Sequence, residues 1–156
     1  MSTVVLALAF AGVLLSPASA VAEFTCPRTV GHASLGPPLP KSDHWFGSEG
    51  LAVQLPPDSP WPTTAPGALI AVKLFWWSAG FRSGIESNLK VTIRDLSGAA
   101  VTAVISKPTN AYAESLGGWA MLTGIDFPKP GCWEITGRYQ GQEVTFVVET
   151  ILAGRS

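Results

Sequence analysis

Three stretches of this chain alternate between apolar and polar residues, and that two-residue period narrows the fold more than any other feature. Residues 89–96 set Leu89, Val91 and Ile93 against Lys90, Thr92 and Arg94. Residues 132–139 set Trp133, Ile135 and Tyr139 against Glu134, Thr136 and Arg138. Residues 143–152 set Val144, Phe146 and Val148 against Glu143, Thr145 and Glu149. Successive side chains of a strand point to opposite faces, so each stretch reads as a strand with one face buried and one face wet. Gln140, Gly141 and Gln142 supply a turn between the last two, which predicts a closing hairpin.

The rest of the chain extends the pattern. Residues 51–55 form a short apolar run that stops at Pro56-Pro57. Residues 68–77, ALIAVKLFWW, are apolar on both faces apart from Lys73, as a central strand would be. Residues 100–106 bring Val101, Ala103 and Ile105 together, and the turn signal Asp95-Leu96-Ser97-Gly98 before them predicts a hairpin with residues 89–96. Residues 119–127 group Trp119, Met121, Ile125 and Phe127 and end at Pro128-Lys129-Pro130-Gly131. Residues 107–118 read as a loop, with a short helical turn across AYAESL as its one hint of structure. About seven short strands separated by Gly- and Pro-rich turns predict an all-β, antiparallel immunoglobulin-like sandwich, with a small barrel as the alternative. There is no internal repeat, no long helix and no βαβ unit, and hence no dinucleotide-binding or P-loop motif.

The first residues read differently. Residues 1–22 carry no charge, residues 4–15 run VVLALAFAGVLL, and Ala18-Ser19-Ala20 follows Ser16-Pro17. An apolar core before small residues at alternate positions is the pattern of a secretory signal peptide. A spanning helix needs about 20 apolar residues, so this run is short for an anchor, and no membrane span is expected once it is cleaved. The expected organisation is therefore a signal peptide at 1–20, an extended proline-rich arm at 21–50 and a sandwich domain at 51–156. Pro37, Pro38 and Pro40 keep the arm from being helical. The expected location is secreted or periplasmic.

Four motifs together carry a resemblance: Cys26-Pro27-Arg28-Thr29, Trp45-Phe46-Gly47-Ser48-Glu49, Lys73-Leu74-Phe75-Trp76-Trp77, and Gly131-Cys132-Trp133-Glu134-Ile135-Thr136-Gly137. The chain resembles a group of uncharacterised bacterial exported proteins over most of its mature length. The Gly-Cys-Trp-Glu element with its hairpin is the most specific part. No activity comes with that group, so the resemblance transfers no site residue. The hairpin also looks like the last one of many extracellular immunoglobulin-like modules. The Cys…Trp…Cys order of antibody domains is absent, however, and Pro130, not a tyrosine, stands two residues before Cys132.

Function is less legible. Ten Lys+Arg balance eleven Asp+Glu, and only 13% of residues are charged, so nucleic acid is not an expected partner. Ser48 lies near His44 and Glu49, but no nucleophile elbow surrounds it, and Gly47-Ser48-Glu49-Gly50 reads as a turn. No carboxylate pair stands out, no catalytic constellation emerges, and the chain reads as non-catalytic with no cofactor. His32 and His44 are the only histidines, too few for a metal site without converging partners. Trp45 and Trp61 lie in Pro- and Gly-rich segments, and the neighbours Trp76 and Trp77 point to opposite faces, which leaves one of them outward unless a bulge or the covering arm changes this. These four tryptophans are the candidate ligand surface. The expected function is an exported binding or interaction module for an unidentified protein or carbohydrate. The alternative is a metal-handling or enzyme accessory protein using loop residues near His44.

Cys26 and Cys132 are 106 positions apart. Two cysteines in an exported chain most often form one disulfide, and no C-x-x-C motif suggests redox work. Trp133 and Ile135 point inward, so Cys132 shares the outward face with Glu134. The bridge should staple the arm to the outside of the sandwich, contributing about 4 to 5 kcal/mol on the chain-entropy account. Thiol alkylation followed by intact mass checks this: no alkylation before reduction and two labels after it are expected. Two thiols alkylated without reductant would overturn it.

Overall fold

In the computed structural model, which describes residues 24–31, 44–55, 61–63, 70–98, 100–113 and 118–152, the alternating stretches are strands of two facing sheets. The described residues form ten strands and no helix. They are β1 (Trp45–Gly47), β2 (Ala52–Gln54), β3 (Trp61–Thr63), β4 (Ile70–Trp77) and β5 (Lys90–Asp95). The others are β6 (Val104–Ile105), β7 (Thr109–Ala113), β8 (Gly118–Phe127), β9 (Gly131–Tyr139) and β10 (Gln142–Leu152). The first sheet runs β1-β2-β4-β8, with β6 and β7 sharing the far edge of β8. The second runs β3-β10-β9-β5. Pairing is antiparallel except between β3 and β10, which is parallel. Among the described residues no helix is long and apolar enough to cross a membrane.

Seven of these strands lie where the sequence puts them. Three do not: β1 falls in the expected arm, β3 in the proline-rich loop after residue 55, and β7 in the expected loop 107–118. Each is three to five residues long and is held by a neighbour's ladder. The first sheet thus begins at Trp45, ahead of residue 51. The expected leader at 1–20 and its cleavage site lie outside the described residues.

The expected hairpin between 89–96 and 100–106 does not form. β5 pairs with β9, placing Val91 opposite Gly137 and Ile93 opposite Ile135, whereas β6 pairs with β8 in the other sheet. The turn itself exists: the Ser97 amide donates to Asp95 Oδ1 at 2.8 Å, and Gly98 takes φ 80°. It carries the chain from one sheet to the other. Alternation in 100–106 is too weak to build a long strand, since Ala103 is buried while Val101 and Val104 remain exposed.

The edge made by β6 and β7 is irregular. Ile105 opposes Ile125 and Thr109 opposes Leu122, so residues 106–108 face only residues 123–124. One extra residue on one strand is a β-bulge. Ser106 supports it: its amide donates to the Gly124 carbonyl at 2.9 Å, and its hydroxyl accepts from the Gly124 amide at 2.7 Å. Pro108, with no amide hydrogen, sits where an edge tolerates it.

Both sheets supply the core. Leu51, Val53, Leu74, Trp76, Met121, Ile125 and Phe127 come from the first sheet or its turn; Trp133, Ile135, Val144, Phe146 and Val148 come from the second. Phe127 packs on Trp61 at 6.1 Å and on Trp133 at 5.2 Å. Trp76 reaches across to Phe146 at 5.8 Å, and its indole N–H donates to the buried Thr123 hydroxyl at 2.9 Å. Its ring lies against the backbone of Gly137, where an added Cβ would be 2.2 Å from Trp76 Cζ3.

The strap 24–31 is held on the second sheet. Cys26 and Cys132 are disulfide-bonded, with Cα atoms 5.6 Å apart. Cys132 is buried, yet it lies on the face of β9 opposite Trp133 and outside the core, as alternation requires. Pro27 sits in a tight turn closed by the Arg28 amide donating to the Cys26 carbonyl at 2.9 Å. Thr29 then pairs with β10: its amide donates to the Val147 carbonyl at 2.8 Å, and its hydroxyl accepts from the Val147 amide at 2.9 Å. Arg28 stands 3.5 Å from Glu149.

Gly137→Ala should destabilise the fold by about 1–3 kcal/mol, the usual cost of overpacking a close-packed interior. Gly118→Ala, where an added Cβ meets nothing within 4 Å, should change stability by less than about 0.5 kcal/mol. Chemical denaturation of the two variants checks the contrast.

Candidate functional site

The end of the β9–β10 hairpin forms an open groove of about 330 Å³ lined by Asn88, Lys90, Arg138, Tyr139, Gln140, Gly141, Gln142 and Glu143. Local chemistry builds it. Tyr139 opposes Gln142 in a two-residue hairpin, and Gln140 and Gly141 take φ 47° and 78°. Positive φ at both central positions is what the right-handed twist of a hairpin favours. Gly141 adopts it freely. Gln140 carries a Cβ and does so at a cost of about 1–2 kcal/mol. Its side-chain amide donates to the Tyr139 hydroxyl at 3.2 Å, and Tyr139 packs edge-on against Phe81 at 6.2 Å. Behind the groove, Gly50 leaves room for Gln142: an added Cβ would lie 2.8 Å from its side-chain amide.

The charges are unevenly matched. Lys90 and Arg138 oppose each other directly across β5 and β9, and like charges so placed disfavour the pairing. Glu143 meets Arg138 Nε at 2.6 Å. The side chains of Asn88, Lys90 and Gln142 have no hydrogen-bond or ion-pair partner among the described residues. Elsewhere on the outer face, where Lys90 and Arg138 stand, partners are present. Arg94 reaches Glu134 at 2.9 Å, Arg28 reaches Glu149, and Thr136 and Thr145 bond each other at 2.9 Å.

The far end of the sheet is closed by a cation. Lys129 Nζ lies 2.7 Å from Asp95 Oδ2, a charge contact without the alignment of a hydrogen bond, and donates to Ser97 Oγ at 3.3 Å. Its ammonium also sits 5.9 Å over the Trp133 ring. Burial works to raise the Asp95 carboxyl; contact with Lys129, the bonds from Ser97 and the Lys129 charge outweigh it and hold the group below its ordinary value of 3.8. This end is a clamp between two turns.

The four tryptophans expected at the surface are not there. Trp45, Trp61, Trp76 and Trp77 are 1%, 4%, 0% and 9% exposed. Trp76 and Trp77 do face opposite sides, but both sides are covered. Trp76 enters the main core; Trp77 joins Trp45, Ala52 and Ala120 in a second cluster, with Phe75 packed beside it. Trp61 is buried because β3 carries it along β10 and onto Phe127. Burial of the rings leaves no aromatic platform at these positions.

His44 uses its backbone carbonyl to accept from the Leu55 amide at 2.8 Å. Ser48 and Glu49 are backbone elements of the β1–β2 turn, the Ser48 amide donating to the Leu51 carbonyl at 2.9 Å. Among the described residues no three His, Cys, Asp or Glu side chains cluster as a metal site. His32 lies outside the described residues. The groove residues were visible in sequence only as a turn and as outward positions; what joins Lys90 to Arg138 is the pairing of β5 with β9. No family model, curated protein or solved structure matches this chain.

Because the folded Asp95 carboxyl is depressed, its contribution to stability is full above the ordinary value and is lost as pH falls through it towards the folded one. Asp95→Asn should cost about 1–3 kcal/mol at neutral pH, and the difference from wild type should vanish in acid. Thermal unfolding of both proteins from pH 7 down to pH 2 checks it.

Proposed function

We propose that this chain is an exported bacterial protein, secreted or periplasmic, with an immunoglobulin-like fold and a non-catalytic binding role. The groove at the β9–β10 hairpin end is its ligand site. The observation that carries the reading is convergence. Side-chain amides and two cations meet in one open groove, and Asn88, Lys90 and Gln142 among them have no side-chain partner among the described residues. Polar groups that cannot satisfy one another inside the molecule are available to a ligand. Loops and turns at the end of a rigid sheet are also where such scaffolds commonly place recognition.

Two further observations support export. The leader pattern at 1–20 is that of a signal peptide. The Cys26–Cys132 disulfide belongs to the chemistry of oxidising compartments. The bridge and strap hold the opposite end of the second sheet, so the hairpin end stands on a braced support. No part of the reading needs a cofactor, a metal or a nucleic acid.

Amide NMR of the mature protein, titrated with polysaccharide fragments and hydrophilic peptides, tests the groove. Binding should move the signals of Tyr139, Gly141, Gln142 and Asn88, and Gln140→Ala with Gln142→Ala should weaken it about tenfold, as loss of two hydrogen bonds would. Shifts confined to another surface, or affinity unchanged in the double variant, would overturn the assignment.

A further inference from the structure

We infer that the groove takes an acidic carbohydrate, a uronate-type oligosaccharide whose carboxylate sits between Lys90 and Arg138; this rests on the groove being the ligand site.

The argument begins with charge. Lys90 and Arg138 are cross-strand partners on the solvent face, and one carboxylate, Glu143, serves the two of them. It engages only Arg138 Nε, leaving the guanidinium's terminal amino groups and the Lys90 ammonium without a bond to any described residue. Two cations side by side with one counter-charge leave a net positive site. An anion bound between them removes the repulsion as well as gaining both attractions. The planar guanidinium suits a carboxylate in particular, because its donors match the two oxygens.

The remaining lining selects the rest of the ligand. Asn88, Gln140 and Gln142 each offer both a donor and an acceptor. Sugar hydroxyls have the same dual character and need such partners. A peptide ligand would want an apolar anchor or an open strand edge. The exposed large apolar side chains, Phe24, Val30, Ile85, Val101, Val104 and Tyr112, all lie outside the groove lining. The β9 and β10 backbones there bond each other, and the free edge of β5 begins at Lys90 and runs away from the groove towards Asp95. The strained φ of Gln140 fits the same reading, since it holds a side-chain amide at the groove rim where the turn would otherwise favour Gly or Asn.

The test pairs each acid with its neutral twin. Trimers of galacturonate, mannuronate and glucuronate are titrated into the mature protein alongside their methyl esters, with the groove amide signals as readout. At least one acid should bind about tenfold or more tightly than its ester, with affinity falling as salt rises. Lys90→Gln and Arg138→Gln should each erase most of that preference while leaving the amide spectrum otherwise native. Groove signals that respond equally to acid and ester would overturn the charge assignment and leave the groove standing. Groove signals unmoved by every acid and ester would overturn the inference, and the groove assignment falls with it if the peptides leave them unmoved too. A preference that survives both substitutions would place the carboxylate elsewhere and overturn the inference.

Discussion

The contact on which this structure turns is an indole ring lying on bare backbone. Trp76 of the first sheet occupies the space where Gly137 of the second has no side chain. Two sheets at their usual spacing of about 10 Å meet through interdigitating side chains, so a bulky residue on one must find a gap in the other. Here the gap is a glycine in the middle of β9, flanked across the ladder by Val91 and Val144. The Trp76–Thr123 hydrogen bond and the Phe146 ring hold the indole from either side. That one fit sets how β4 lies over β9, and the aromatic run Trp61–Phe127–Trp133 follows along the same interface.

The exposed groove follows from the same contact by a shift of one residue. Since Gly137 faces inward, Arg138 faces solvent. Since Val91 faces inward opposite Gly137, Lys90 faces solvent opposite Arg138. The core therefore fixes which charges stand together outside. A like-charge pair that the local ladder disfavours is kept because a one-residue slip would turn Val91 and Ile93 outward and a two-residue slip would break the Ile93–Ile135 pairing in the core.

The second sheet is polarised along its strands. At one end the disulfide, the Thr29–Val147 bonds, the Arg28–Glu149 pair and the Asp95–Lys129–Ser97 clamp engage polar groups and tie down the turns and the strap. At the other end polar groups gather with few partners. Such a division suits a module that is braced at one end and recognises at the other. It also separates the residues whose loss would unfold the chain from those whose loss would leave a folded protein with an altered surface.

Period-two alternation made β5, β8, β9 and β10 legible in sequence, along with the inward set Trp133, Ile135, Val144, Phe146 and Val148, because burying one face of a strand leaves that mark whatever the partner. The closing turn and the side of β9 on which Cys132 lies were legible for the same local reason. The strands β1, β3 and β7 left no such mark. They are short, lie beside glycine or proline, and are strands only because a neighbouring strand offers an edge. Which strands pair is a matter of tertiary structure, since ladder partners distant in sequence are chosen by the packing of both sheets at once. So is the fate of the tryptophans: sequence places Trp76 and Trp77 on opposite faces, but only the fold decides that both faces are covered. The juxtaposition of Lys90 with Arg138 belongs to that second class. Each was readable as an outward residue from its own strand, and only the pairing of β5 with β9, under a core closed by Trp76 on Gly137, made them neighbours.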